Sequence, residues 1–101
     1  METRLEIFIE RGCDNCQEAI SIADRLRRQA PAVQVNLIDL NQEPYRRPQT
    51  VFAVPTYILD GELLSLGNPR YEDLLATLKQ KSESLANEAV KNEKHQDTGS
   101  D

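Results

Sequence analysis

The chain has 101 residues, 39% of them hydrophobic and 29% charged, which suits one domain with a modest core built from Leu, Ile, Val and Ala, since Trp is absent. A net charge of −5 argues against a nucleic-acid partner held by electrostatics. No apolar run reaches the roughly 20 residues of a membrane span, and Met1-Glu2-Thr3-Arg4-Leu5 lacks the basic-then-apolar pattern of a signal peptide, so no membrane partner and a cytoplasmic location are expected.

Leu5-Glu6-Ile7-Phe8-Ile9 is apolar on both faces apart from Glu6 and reads as a buried strand. Residues 14–30 read as a helix. Ala19, Ile20, Ile22, Ala23, Leu26 and Ala30 recur at helical spacing, with Glu18, Asp24, Arg25 and Arg28 opposite, and Pro31 ends the run. Val33–Ile38 is a second strand, expected to lie parallel to the first through a right-handed helical crossover, so residues 5–38 form a βαβ unit. Asp39–Pro48 is polar and carries two prolines, which fits a loop with a short helical turn better than a full helix. Thr56–Leu59 and Glu62–Leu66 flank Asp60-Gly61, a strong hairpin signal. Gly67-Asn68-Pro69 breaks the chain, and Leu74, Leu75 and Leu78 mark a closing helix from Tyr71 to about Lys81. Residues 82–101 form a polar extension with five acids against two lysines. Leu85, Ala89 and Val90 can carry the helix a few turns further, and the final eight or so residues read as disordered. The domain is therefore expected over residues 1–81. There is no internal repeat.

The only two cysteines stand in Arg11-Gly12-Cys13-Asp14-Asn15-Cys16, between the first strand and the first helix. At such a turn the first sulfur sits at the positive end of the helix, where unpaired N–H groups favour a thiolate, and the second lies one turn further in. Inside a cell this spacing reads as a redox or metal-binding pair rather than a permanent staple. Two charges bear on the first sulfur in opposite senses. The Asp14 carboxylate disfavours a thiolate, the Arg11 guanidinium favours it, and the direction of any net tuning stays open.

The order β-α-β, loop, hairpin, α resembles a minimal thioredoxin-like fold, an α/β fold with a central mixed sheet. Val54-Pro55-Thr56, just before the hairpin, is similar to the Ile/Val-Pro-Thr element of thioredoxins and glutaredoxins. Val35–Asn41 resembles the thioredoxin second strand and its acidic exit, and Asp60-Gly61-Glu62 its hairpin turn. The resemblance spans roughly residues 4–81 and is to small, glutaredoxin-sized members with a Gly-Cys-x-x-Cys start. It departs from them in places. Gly12 stands where thioredoxins carry Trp, Asp14-Asn15 replace the usual central pair, and no acid occupies Ile7-Phe8-Ile9, where thioredoxins bury one on the first strand.

The resemblance implies a thiol–disulfide oxidoreductase that reduces protein or mixed disulfides. Cys13 would be the nucleophile and Cys16 the resolving thiol, with no cofactor for the chemical step. Electrons would come from a thiol or a reductase. Pro55 would be cis, and Val54, Pro55, Gly67 and Asn68 would line the substrate groove. Gly67-Asn68 keeps one glycine of the pair that glutaredoxins use for glutathione, with Glu72 and Asp73 following, so glutathione is a weakly supported partner. Tyr45, Arg46 and Arg47 suit either a groove wall or a solvated loop, Thr56 is a strand residue, and His95 is a solvated residue of the tail. Two other readings remain. A metal-trafficking module also uses Cys-x-x-Cys at this place, although it usually carries Met where this chain has Arg11 and lacks Val-Pro-Thr, and a structural zinc needs about four ligands. A thioredoxin-like domain used only for docking is the other.

Overall fold

The computed structural model describes residues 3–94, and their side chains over residues 3–82. In chain order the elements are β1 (Thr3–Ile9), α1 (Asp14–Gln29), β2 (Val33–Asp39), a 3-10 turn (Pro44–Arg46), β3 (Thr56–Leu59), β4 (Glu62–Leu66) and α2 (Tyr71–Lys94). The four strands form one mixed sheet in the order β2-β1-β3-β4. β1 pairs parallel with β2 from Thr3–Val33 to Ile9–Asp39 and antiparallel with β3 from Leu5–Leu59 to Phe8–Thr56. This is the α/β, thioredoxin-like arrangement that the order of elements predicts.

The two faces of the sheet are covered differently. Leu5, Ile7 and Ile9 of β1 point to the face on which α1 and α2 lie, and they pack with Ala19, Ile22, Ala23 and Leu26 of α1 and with Leu74 and Leu78 of α2. Phe8 points the other way, with Ile38, Leu40, Val51 and Ile58. Among the described residues no α-helix contributes to this cluster: Leu40 and Val51 come from the segment between β2 and β3, where Pro44 and Pro48 limit the chain to a 3-10 turn. With both faces of β1 in contact with apolar groups, its near-continuous hydrophobic run is accounted for.

The structure departs from the sequence reading in two places, and in a third takes the longer of two courses the sequence left open. β1 begins two residues earlier than expected, because Thr3 and Arg4 find partners in Val33 and Gln34. β4 carries a register shift opposite Tyr57 and Ile58, so Leu63 faces Ile58 and Leu66 faces Thr56. That bulge is why Glu-Leu-Leu-Ser-Leu lacks clean alternation. α2 runs unbroken past Lys81 to Lys94, the few further turns that the spacing of Leu85, Ala89 and Val90 allows. The apolar spacing thins after Leu78, yet Ser82–Lys94 contains neither Gly nor Pro to end a helix. The disorder expected of the last eight or so residues, and the role of His95, fall outside the described residues apart from Lys94 itself.

Candidate active site around the cysteine pair

Gly12, at φ +77°, turns the chain from the end of β1 into α1, a conformation that favours glycine. Cys13 follows as the N-cap of α1 in extended conformation. Its carbonyl accepts the Cys16 N–H at 3.0 Å, and its Sγ accepts the same N–H at 3.1 Å. One of the orphan donors of the helix start is therefore aimed at the sulfur. Cys13 and Cys16 are joined as a disulfide with their Cα atoms 5.2 Å apart. Cys13 is half-buried, whereas Cys16 is only 2% exposed and belongs to the core beneath. Attack from solvent thus reaches Cys13 first.

The neighbouring loops are tied to this turn by polar contacts. The Arg11 N–H donates to Asn41 Oδ1. Arg47 pairs with the Glu10 carboxylate and donates to the Val51 carbonyl at 2.8 Å, bridging the end of β1 to the segment before β3. That segment carries Val54 and the buried Pro55, whose peptide bond is cis. Val54 packs against both core clusters, and Cys13 packs against the one it shares with α1 and α2. Thr56 Oγ1 donates to the Ala53 carbonyl at 2.6 Å, and the Gly67 N–H to the Pro55 carbonyl at 2.7 Å. Gly67 and Asn68 thereby lie beside the cis-proline turn. Asn68 reaches the cysteine turn itself: its Nδ2 donates to the Asn15 carbonyl at 2.8 Å, while its Oδ1 accepts from Tyr57 Oη at 2.8 Å.

Arg11 and Asp14 are both exposed, and neither joins an ion pair among the described residues. Tyr45 is 81% exposed. The guanidinium of Arg46 is engaged by Glu43 at 3.2 Å and Glu6 at 3.9 Å, and that of Arg47 by Glu10, so both charges in this loop have carboxylate partners. Tyr57 is fully buried, and its phenol pKa is pushed up, first by burial and second by the Glu18 carboxylate. It therefore stays a neutral hydrogen-bond donor.

Sequence reading named Cys13, Cys16, Val54, Pro55, Gly67 and Asn68, and the fold gathers all six at one end of the sheet. It missed Tyr57, Glu10 and Asn41, and it left Arg47 between a groove wall and a solvated loop without foreseeing its tie to Glu10. Tyr57 left one signal, since a tyrosine inside an apolar strand needs a partner for its hydroxyl. The other three look like ordinary loop polar residues.

No protein-family model matches the chain. It is 26% identical over 82 residues to a thioredoxin of Methanocaldococcus jannaschii, a match that covers 79% of this chain and 96% of that protein. Among solved structures it resembles a mutant thioredoxin from Halobacterium salinarum, with TM-score 0.66, 24% identity, and coverage of 78% of this chain and 74% of that one. It also resembles the NTD_N/C domain of the alkylhydroperoxide reductase AhpF from Enterococcus faecalis, with TM-score 0.65 and 22% identity, covering 77% of this chain and 38% of that one. The sequence relative and the solved structures agree on a thioredoxin-like fold for this chain.

Proposed function

We propose that this chain is a thiol–disulfide oxidoreductase that works through Cys13 and Cys16. The observation that carries the reading is the placement of the two sulfurs. Cys13 sits half-exposed at the helix N-cap under the Cys16 N–H, and Cys16 is buried one turn behind it. In the reducing direction the Cys13 thiolate attacks a substrate disulfide. An S–S bond forms between Cys13 and one substrate sulfur, and the other leaves as a thiolate that takes a proton. The Cys16 thiolate then attacks the Cys13 sulfur, and the second substrate thiol departs. Two electrons have moved from the dithiol to the substrate, and the Cys13–Cys16 disulfide awaits reduction by a thiol or a reductase. No cofactor takes part in these steps.

The substrate would lie along Val54. Its N–H and C=O have no hydrogen-bond partner among the described residues, which leaves them for an extended substrate segment. Pro55, Gly67 and Asn68 would border that segment, and Arg11 and Asp14 would act on Cys13 only through solvent. Protein disulfides are the proposed substrates and the cytoplasm the proposed location. No described helix is long and apolar enough to cross a membrane. The metal-trafficking reading has less support, because the chain carries Arg11 where such modules usually carry Met, has Val54-Pro55-Thr56, and resembles thioredoxins in sequence and fold.

The test is a redox titration across defined thiol–disulfide buffers, read by mass spectrometry of alkylated cysteines. One reversible two-electron step ending in the Cys13–Cys16 disulfide is expected. Cys13→Ser should abolish disulfide reduction, and Cys16→Ser should accumulate a mixed disulfide on Cys13. Cysteines that stay unreactive, or that resist alkylation until a chelator is added, would sink this reading.

A further inference from the structure

We propose that Tyr57 and Asn68 are positioning residues that stabilise the Cys13 thiolate through the peptide group between Asn15 and Cys16. The proposal rests on the functional reading of Cys13 and deepens it.

The Asn15 carbonyl and the Cys16 N–H belong to one planar peptide unit. Its oxygen accepts from Asn68 Nδ2 at 2.8 Å, and its N–H donates to Cys13 Sγ at 3.1 Å. Asn68 Oδ1 accepts in turn from Tyr57 Oη at 2.8 Å. The result is one hydrogen-bond chain: phenol O–H to side-chain amide, amide N–H to backbone carbonyl, backbone N–H to sulfur. Every donor points the same way, toward Cys13. Successive bonds aligned in this sense polarise one another, and the last donor is the one that meets the sulfur. A hydrogen bond to the charged form of a group favours that form, so the arrangement favours thiolate over thiol at Cys13.

The direction of the chain is forced by chemistry at each link. The Asn15 carbonyl only accepts, so the Asn68 amide must present its nitrogen there and its oxygen to Tyr57. Tyr57 then has to donate. Its hydroxyl is held in the protonated form by burial and by the neighbouring Glu18 carboxylate. Asn68 and Asn15 are 53 residues apart in sequence, so the closing segment of the fold reaches back to the cysteine turn through a single side chain. Neither Tyr57 nor Asn68 hydrogen-bonds a sulfur in this arrangement; both act through the peptide.

The decisive experiment follows the alkylation rate of Cys13 across a pH series in the full chain carrying Cys16→Ser, which retains the backbone N–H at residue 16. Variants Asn68→Ala, Asn68→Asp and Tyr57→Phe are compared with that parent. The expected result is a Cys13 titration midpoint moved upward and, in Asn68→Ala, a roughly threefold slower alkylation at neutral pH, the size of a modest loss of thiolate stabilisation. Asn68→Asp is nearly isosteric but places a carboxylate against the Asn15 carbonyl, so its rate should fall at least as far. Tyr57→Phe, which removes one hydroxyl and keeps the ring, should shift in the same direction by less. In the dithiol protein the same variants should show a more negative reduction potential, because the reduced form has lost stabilisation. Far-UV circular dichroism confirms that each variant is folded; should the Asn68 variants unfold, Tyr57→Phe decides alone. Midpoints of folded variants that coincide with the parent's overturn the relay. A parent in which Cys13 never titrates overturns the functional reading itself, and so the two failures are distinguishable.

Discussion

Tyr57 shows how one side chain serves packing and polarity at once. Its ring fills the core beside Leu5, Ile7 and Leu78, and its hydroxyl has a partner in Asn68. A buried phenol left without a partner would cost about 1–3 kcal/mol, so Asn68 is as much a condition of the fold as a part of the site. The raised phenol pKa has a consequence for stability. Up to the ordinary tyrosine value of 10.0 both folded and unfolded chains keep the proton, and nothing is lost. Above that value the unfolded chain releases the proton while folded Tyr57 holds it, so the unfolded state binds fewer protons and stability falls as pH rises. Urea unfolding followed from neutral pH to strongly alkaline pH should therefore show a decline that is shallower in Tyr57→Phe. Equal slopes would mean that the phenol is not shielded from ionising.

At the scale of elements, the hairpin between β3 and β4 and the start of α1 are decided by local chemistry. Asp60 and Gly61 have φ of +50° and +87°, the pair of positive values that a tight two-residue hairpin needs. Asp60 is also anchored to β1. Its Oδ1 accepts the Arg4 N–H at 2.8 Å, its own N–H donates to the Arg4 carbonyl at 2.8 Å, and Lys81 of α2 pairs with its carboxylate at 3.3 Å. A Cβ at Gly61 would meet nothing within 4 Å, so the cost of a side chain there is backbone strain alone. Gly61→Ala should lower stability by about 1–2 kcal/mol, read as a lower urea midpoint with an unchanged m-value. A midpoint equal to that of the parent would show that the turn tolerates a side chain at positive φ.

At the scale of the whole molecule, α1 and α2 share one face of the sheet, and the apolar anchors of α2 in the core are Leu74 and Leu78, 2% and 0% exposed. Leu78→Ala should cost about 2–5 kcal/mol, since it opens a cavity where α2 meets the sheet; a urea midpoint within error of the parent's would mean that α2 is not anchored there. We propose that the folding unit ends near Ser82, in keeping with a domain over residues 1–81. A chain cut after Ser82 should then unfold cooperatively with a melting temperature close to that of the full chain. A large drop would place folding energy in the later turns of α2. The core cluster on the opposite face gathers under a loop rather than a helix. The ties Glu10–Arg47, Arg47–Val51 and Arg11–Asn41 link that loop to the cysteine turn.

Much of this protein is written locally. The period of Ala19, Ile22, Ala23 and Leu26 makes α1, Asp60-Gly61 makes the hairpin, and Cys13 three residues before Cys16 at a strand-to-helix turn marks the reactive end. Each of these depends on residues a few positions apart, and backbone geometry translates such spacing directly into structure. The tertiary structure alone decided the bulge in β4, the pairing of Glu10 with Arg47, and the path from Tyr57 through Asn68 to the peptide beside Cys13. Those contacts join residues far apart along the chain, and whether they meet depends on the stacking order of the strands and the packing of both helices on one face. The continuation of α2 to Lys94 belongs between the two cases: the absence of a breaker and the spacing of Leu85, Ala89 and Val90 allow it in the sequence, but the thinner apolar pattern after Leu78 left the end of the helix open.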